Sequence, residues 1–287
     1  MTAMNMREMM EAGAHFGHQT HHWDPRMKPY IFSAKNGIHI IDLQKTVQMC
    51  RAACEFLTKV VSEGGDVLFV GTKRQAQMIV AEEARRCSMF YVTHRWLGGT
   101  LTNFRTIRAS IERLKTLEKR RDEEGLEGLT KKEKLGVERE IQKLTKSLGG
   151  IKEMTRLPAA VFILDPHMEQ ITLKEAILHK IPVVALGDTN CNPEGIDYLI
   201  PGNDDAIKSI RLFTATIAAA CLDGLTRRQE VMRQGAAEAP LPREVVGARG
   251  RAFVSKPESY ENEVKGEYRA GQAAVEALKV EGESDKK

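Results

Sequence analysis

The sequence predicts a doubly wound α/β domain, a parallel sheet with helices on both faces, carrying one long helical insertion. Two patterns carry that expectation. Short apolar runs at residues 66–71 (Asp-Val-Leu-Phe-Val-Gly), 159–164 (Ala-Ala-Val-Phe-Ile-Leu) and 181–186 (Ile-Pro-Val-Val-Ala-Leu) are too uniformly apolar for half-exposed strands and suit strands buried on both faces. Segments of helical period lie between such runs, and strands alternating with helices mean βαβ units. With 287 residues, 42% of them hydrophobic, the chain can bury one sizeable core.

Taken in order, Asn5 with Glu8 three residues on suggests a capped amphipathic turn through Met6, Met9, Met10 and Ala14. Residues 15–30 mix four histidines, Arg26, Lys28, two prolines and three aromatics without periodicity, and read as a loop lying against the domain. Residues 38–43 read as the first strand of the sheet. A helix follows over about 44–63, with Val47, Cys50, Cys54, Leu57 and Val61 on one face, and Gly64-Gly65 ends it. Residues 66–71 are the second strand, a helix runs from Thr72 to about Cys87, and residues 90–93 are the third strand. Residues 159–164 and 181–186 supply the fourth and fifth, joined by a helix over 169–179. Asp204 is expected to cap a last helix over 206–222 that stops at Gly224. The stretch 226–287, rich in Glu, Lys, Gly and Ala, reads as largely disordered.

Between the third and fourth strands the connection is far longer than a crossover needs. Phe104, Ile107, Ile111 and Leu114 are spaced 3, 4, 3; Thr130 and Glu133 make a capping box; Val137, Ile141, Leu144 and Leu148 are spaced 4, 3, 4. This pattern describes an antiparallel coiled-coil hairpin over 103–155, inserted in a sheet domain made of 1–102 and 156–225. From Arg105 to Glu153 there are 14 Lys and Arg against 10 Asp and Glu, an excess equal to the +4 of the whole chain. The basic excess therefore sits in the hairpin.

That +4, from 43 cations and 39 anions, points to an anionic partner only where the cations are concentrated. Five cysteines, an odd number lying mostly in helical segments, argue against a disulfide framework and fit a reducing cytoplasm. The N-terminal residues lack a basic-then-apolar signal pattern, and no apolar run approaches the roughly 18 residues of a membrane span.

The best contact surface is the corner at 91–108, Tyr-Val-Thr-His-Arg-Trp-Leu-Gly-Gly-Thr-Leu-Thr-Asn-Phe-Arg-Thr-Ile-Arg. It passes from an apolar strand into a cationic, aromatic turn and then into a helix that Thr102 or Asn103 can cap; Gly98-Gly99 permits a sharp turn or close approach. Lys73, Arg74, His94, Arg95, Trp96, Arg105 and Arg108 gather at two neighbouring strand ends and this corner. Scattered cations would be a solvated surface, but cations mixed with an aromatic, hydroxyls and a glycine pair suit phosphate binding and base packing. Arg26, Lys28 and Asn103 complete the candidate nucleic-acid surface.

Enzyme chemistry finds no support. Val-Gly-Thr-Lys-Arg at 70–74 lacks the glycine spacing of a phosphate loop, no Gly-x-Gly-x-x-Gly follows any strand, and Asp165 and Asp188 suit turn and helix caps. His15 and His18 could meet Asp188 or Asp204 at a metal if the fold brings them together. Without a second close ligand pair, the expectation is packing and hydrogen bonding, with no metal and no cofactor. Cys50 and Cys54 read as core.

Five motifs carry a resemblance: residues 12–30, 37–46, 69–76 (Phe-Val-Gly-Thr-Lys-Arg-Gln-Ala), 94–104 (His-Arg-Trp-Leu-Gly-Gly-Thr-Leu-Thr-Asn-Phe) and 182–202. In order and spacing over about residues 1–225, the chain resembles the bacterial family of small-ribosomal-subunit protein S-two. The resemblance implies a flavodoxin-like five-stranded sheet with an inserted hairpin. It further implies a structural role in translation, contact with small-subunit ribosomal RNA between head and body, and neighbouring small-subunit proteins as partners. The mRNA-binding protein S-one is the partner it would help dock. A nucleotide-binding enzyme and a protein-only coiled-coil adaptor are the competing readings.

Overall fold

The computed structural model describes residues 5–123 and 130–237. Helix α1 (Met6–Glu11) and strands β1 (Phe16–Gln19), β2 (Ile31–Lys35) and β3 (Ile38–Ile41) precede α2 (Leu43–Ser62). Then come β4 (Val67–Val70), α3 (Gln77–Arg86), β5 (Phe90–Val92), α4 (Phe104–Glu123), α5 (Lys131–Leu148), β6 (Ala160–Leu164), α6 (Gln170–Leu178), β7 (Val183–Gly187), β8 (Tyr198–Pro201) and α7 (Ile207–Ala237).

Five parallel strands lie in the order β5-β4-β6-β7-β8. Numbered along the chain this is 2-1-3-4-5, the flavodoxin-like order, whose switch point falls between β4 and β6. Strand alternation divides the interior into two cores. Val67, Phe69, Phe162, Leu164, Val184 and Leu186 pack with α2, α3 and α7; Leu68, Val70, Val161, Ile163, Val183 and Ala185 pack with α4, α5 and α6. Apolar residues on both faces are why these strands read as continuous runs in the sequence.

Residues 38–41 do not join this sheet. They form β3 of a separate antiparallel sheet, β1-β3-β2. Asn36 and Gly37, both at positive φ (53° and 78°), close β2 onto β3 in a tight two-residue turn that favours a hairpin over a parallel crossover. The fifth parallel strand is instead β8. The small sheet and the loop within it are tied to the ends of β7 and β8: Asp24 N–H donates to the Thr189 carbonyl (2.9 Å), His18 N–H to Thr189 Oγ1 (3.0 Å), and Asn203 N–H to the Ala14 carbonyl (3.1 Å).

The expected cap of the last helix also moves by one residue. Asn203 Oδ1 accepts from the N–H groups of Asp205 and Ala206 (2.8 and 3.0 Å), which frees Asp204 to point inward. Nor does the helix stop at Gly224; α7 continues to Ala237. Gly224 serves close approach instead of termination, because a Cβ there would lie 2.8 Å from the Thr58 carbonyl oxygen and 2.8 Å from Val61 Cβ of α2. Residues 207–233 are long and apolar enough to cross a membrane by length and composition, yet Ile210, Phe213, Ile217 and Cys221 are buried in the core against α2. Gly224→Val is expected to lower stability by about 1–3 kcal/mol through overpacking, read from the urea midpoint; an unshifted midpoint would show that the two helices slide apart at little cost.

Helices α4 and α5 pair through Ile107, Ile111, Leu114, Ile141 and Leu148, a seam continuous with the second core of the sheet. The Thr130–Glu133 capping box is formed as the sequence expects. Ion pairs join Arg113 to Glu140 (2.6 Å) and Glu118 to Lys152 (2.6 Å). All five cysteines are free and buried.

Candidate nucleic-acid interface

The corner after β5 is built around a carboxylate. Glu175 of α6 is buried, and it accepts from the Trp96 indole N–H (3.1 Å), from Gly99 N–H (2.8 Å), Leu101 N–H (2.9 Å) and Thr102 N–H (3.1 Å), and from the Thr102 hydroxyl (3.3 Å). Gly99 sits at φ +90°, which turns its N–H toward that carboxylate. Burial alone raises the Glu175 carboxyl; the Gly99 and Leu101 amides, the Trp96 indole and Thr102 outweigh it and hold the group below the usual carboxylate range.

Bracing the corner from inside decides which side chains face out. Trp96, expected to pack on a partner, is 7% exposed and belongs to the second core. His94 and Arg95, just before the turn, are exposed, as are Asn103, Arg105 and Arg108 at the start of α4. Asn103 Oδ1 accepts from the Thr106 hydroxyl (2.9 Å). β4 and β5 are adjacent and parallel, with Val70 opposite Val92, so the segments that carry exposed Arg74 and exposed His94 and Arg95 leave the same end of the sheet from neighbouring strands.

Lys73 turns the other way. Its ammonium lies 2.7 Å from Asp204 Oδ1, 2.6 Å from Asp205 Oδ1 and 3.3 Å from Asp165 Oδ2. Burial by itself lowers its pKa, and the three carboxylates more than reverse that, so it is raised and the ammonium stays charged. Next to it, Glu169 accepts from Thr72 N–H (3.1 Å) and the Thr72 hydroxyl, fixing the loop after β4. The acids at the carboxyl ends of β6, β7 and β8 thus fill the place where a sheet of this order ordinarily holds a ligand. Burial and the Asp165 and Asp188 charges push Asp204 up to about 7, with Lys73 offsetting part of the shift. His18 of β1 reaches in, with Nδ1 3.0 Å from Asp188 Oδ2 and Nε2 3.5 Å from Asp205 Oδ2; the Asp188 contact raises its pKa against the opposing effect of burial. His15 is not in this group; its ring lies 4.0 Å from that of Phe16, tilted by 39°.

Arg26 and Lys28 are exposed on the 3-10 helix Pro25–Tyr30, whose Met27 packs on Cys191 and Leu199. They therefore lie toward β8, at the far edge of the sheet from β5, roughly 19 Å away at about 4.8 Å per strand spacing. Arg26 is ion-paired with Glu194 (2.9 Å). The candidate residues accordingly fall into three places: an exposed corner, an internal acid–lysine cluster, and a separate pair on the N-terminal layer. Sequence reasoning missed Glu175, Glu169 and Asp205. The signal for Glu175 is inverted amphipathicity, since α6 buries it while exposing Ile171 and Leu178.

Comparison with known proteins agrees with this architecture. Residues 9–224 match the sequence model of the family described as "Ribosomal protein S2". The chain is 56% identical over 225 residues to the protein of Sorangium cellulosum named small ribosomal subunit protein uS2, covering 78% of this chain and 81% of that one. It is 54% identical over 230 residues to the protein of the same name from Maridesulfovibrio salexigens (80% and 89% covered), and 54% over 238 residues to that of Nitratidesulfovibrio vulgaris (83% and 94%). With a family match across most of its length and close relatives covered almost end to end, the chain belongs to the ribosomal protein S2 family, structural proteins of the small ribosomal subunit that work in translation in the cytoplasm and are not enzymes.

Proposed function

We propose that the corner displaying Arg74, His94, Arg95, Arg105 and Arg108 binds small-subunit ribosomal RNA where the head of the subunit meets its body. The observation that carries the proposal is a difference in pairing. Among the described residues Arg74, Arg95, Arg105 and Arg108 meet no carboxylate, whereas Arg26, Lys73, Arg113 and Lys152 each do. Cations left unneutralised by their own chain hold only mobile counterions, which phosphates displace with a gain in entropy. Exposed Asn103 adds a polar group to the same rim. Lys73 and Trp96 serve this surface from inside, by fixing the loops that present it, and Arg26 and Lys28 would make a separate contact. For the full chain and a small-subunit ribosomal RNA, filter binding should show log K falling linearly with log salt, by about 0.7–0.9 for each phosphate neutralised. A salt-independent affinity would overturn the proposal.

The helical pair extends the same reading to protein partners. Its surface alternates charge, Arg121 beside Asp122 and Arg139 beside Glu138, which suits continuous phosphate contact poorly. We assign residues 103–155 to a hairpin insertion on a sheet domain made of 1–102 and 156–225, whose last helix runs past 225 to Ala237; the rest of the 226–287 stretch, expected to be largely disordered, lies outside the described residues. The hairpin's outer part is then free for neighbouring small-subunit proteins and for the mRNA-binding protein S-one. Replacing residues 115–137 by a short turn keeps Ile111 and Ile141 in place and should leave the sheet folded. Quantitative mass spectrometry of subunits carrying that variant should show S-one depleted and most other proteins retained. Normal S-one occupancy would remove the docking role.

A further inference from the structure

We propose that the outward face of α6, with the turn before it, docks an acidic amphipathic helix of a neighbouring small-subunit protein. Helix α6 is built inside out. It buries Thr172, Glu175 and Ala176, while Ile171 (58% exposed), Ile177 (47%) and Leu178 (74%) stand in solvent, joined by Met168 (62%) from the turn before the helix. Ile171, Lys174 and Leu178 are spaced i, i+3, i+7 and so lie in one stripe two turns long. Single apolar residues on a surface are ordinary, but four large ones between residues 168 and 178 make a patch, and such patches mark contacts. The corner after β5 accounts for the buried Glu175; nothing among the described residues covers the apolar side chains on the outside.

Charge selects the occupant. Lys174 and Lys180 are exposed and meet no carboxylate among the described residues. The acids of this segment turn inward, Glu169 to Thr72 and Glu175 to the corner. In the loop between β7 and β8, Glu194 is neutralised by Arg26 (2.9 Å), and Asp197 accepts from Val183 N–H (2.8 Å). The outward face is therefore aliphatic and cationic. Aliphatic side chains offer bases no plane to stack on, and phosphate laid over them loses water without a polar partner, so RNA suits this face poorly. Two copies of the face would set lysine against lysine. A helix with apolar residues at i, i+3 or i+4 and i+7, flanked by Asp or Glu, satisfies both the stripe and its charge.

The face is also held in shape before any partner arrives. Gly195, at φ +83°, brings the loop between β7 and β8 against Ile177: a Cβ there would lie 2.5 Å from Ile177 Cδ1. On the inner side the five hydrogen bonds to Glu175 fix the rotation of α6. A partner helix thus meets a surface that needs little ordering. This contact rests on the chain's membership of the small subunit and does not depend on the RNA corner or on the helical pair.

The test compares intact small subunits containing the full chain with the purified full chain. Hydroxyl-radical oxidation of Ile171 and Leu178 is expected to fall at least fivefold in the subunit. A carbodiimide, which joins amines to carboxylates with no spacer, should link Lys174 or Lys180 to Asp or Glu in one other small-subunit protein, within a segment of helical apolar spacing. The double variant Ile171→Gln, Leu178→Gln changes two largely exposed side chains, so its unfolding midpoint and the salt slope of RNA binding should stay put while the crosslink yield drops at least tenfold. Should that variant fail to fold, Lys174→Glu supplies the second reading: its reversed charge should abolish the Lys180 crosslink. Protection already present in the purified chain would assign the face to the chain itself or to a second copy and overturn the proposal. Ultraviolet crosslinks from residues 168–180 to RNA, unprotected side chains in the subunit, or an undiminished crosslink in the double variant would overturn it equally.

Discussion

Replacing Glu175 by alanine is expected to destabilise the chain by about 3–5 kcal/mol, the range for breaking a buried charged network. Four N–H groups and a hydroxyl converge on its carboxylate, and each buried donor left without a partner costs about 1–3 kcal/mol, part of which entering water recovers. Trp96 is one of those donors, so its fluorescence reports the loss directly in a urea titration. Glu175→Gln keeps one accepting oxygen and turns an NH2 group toward the other set of donors, so it should lose roughly half as much. The pH dependence has a definite sign. Glu175 titrates below its ordinary 4.5 in the folded chain, so the advantage of wild type over Glu175→Gln is fully present above pH 4.5 and is lost as pH falls through the lowered folded-state value. A loss under about 1 kcal/mol for Glu175→Ala would mean that water replaces the carboxylate without strain. The RNA effect separates bracing from simple electrostatics. Removing an acid from a basic surface should by charge alone strengthen RNA binding, whereas loss of the brace should weaken it.

The second large effect concerns the cations themselves. Changing Arg74, Arg95 and Arg105 together to glutamine should weaken binding to small-subunit ribosomal RNA roughly 100-fold at 0.1 M salt, since three phosphate contacts at about 0.7–0.9 each in the log–log slope amount to about two to three decades at that concentration. The slope itself should flatten by about 2–3. All three side chains are exposed and meet no internal carboxylate among the described residues, so the unfolding midpoint should stay put. An unchanged slope with an unchanged midpoint would move the RNA surface elsewhere, most directly to Arg26 and Lys28.

Much of the fold was legible because burial on both faces writes itself as unbroken apolar runs. Val67–Val70, Ala160–Leu164 and Val183–Gly187 lie wholly inside the molecule and were readable for that reason. The capping box at Thr130 and the 3–4 spacing of the helical pair were equally plain. What failed to show was long-range pairing. Residues 38–41 carry a strand pattern that fits either sheet, and only the Asn36-Gly37 turn tells which; β8 has four residues ending in Pro201, too few for a pattern. At the candidate site, the sequence located the cations but not their directions. Lys73 and Arg74 are neighbours with opposite fates, one drawn inward by three acids from two other strand ends and the other left outside. Their separation in the chain, from 73 to 204, hides the acids from any local reading. Glu175 was invisible for the same reason, because the amides that make its burial tolerable lie more than 70 residues away.

The most direct measurement of the central claim is ultraviolet crosslinking of intact small subunits containing this chain, followed by mass spectrometry of its RNA-bearing peptides. The account predicts that adducts concentrate in residues 93–108 and on the peptide carrying Arg74, and that they fall in the Arg74, Arg95 and Arg105 triple variant while the chain remains folded. Adducts confined to the helical pair or to residues 15–30, with the corner free of RNA, would contradict it.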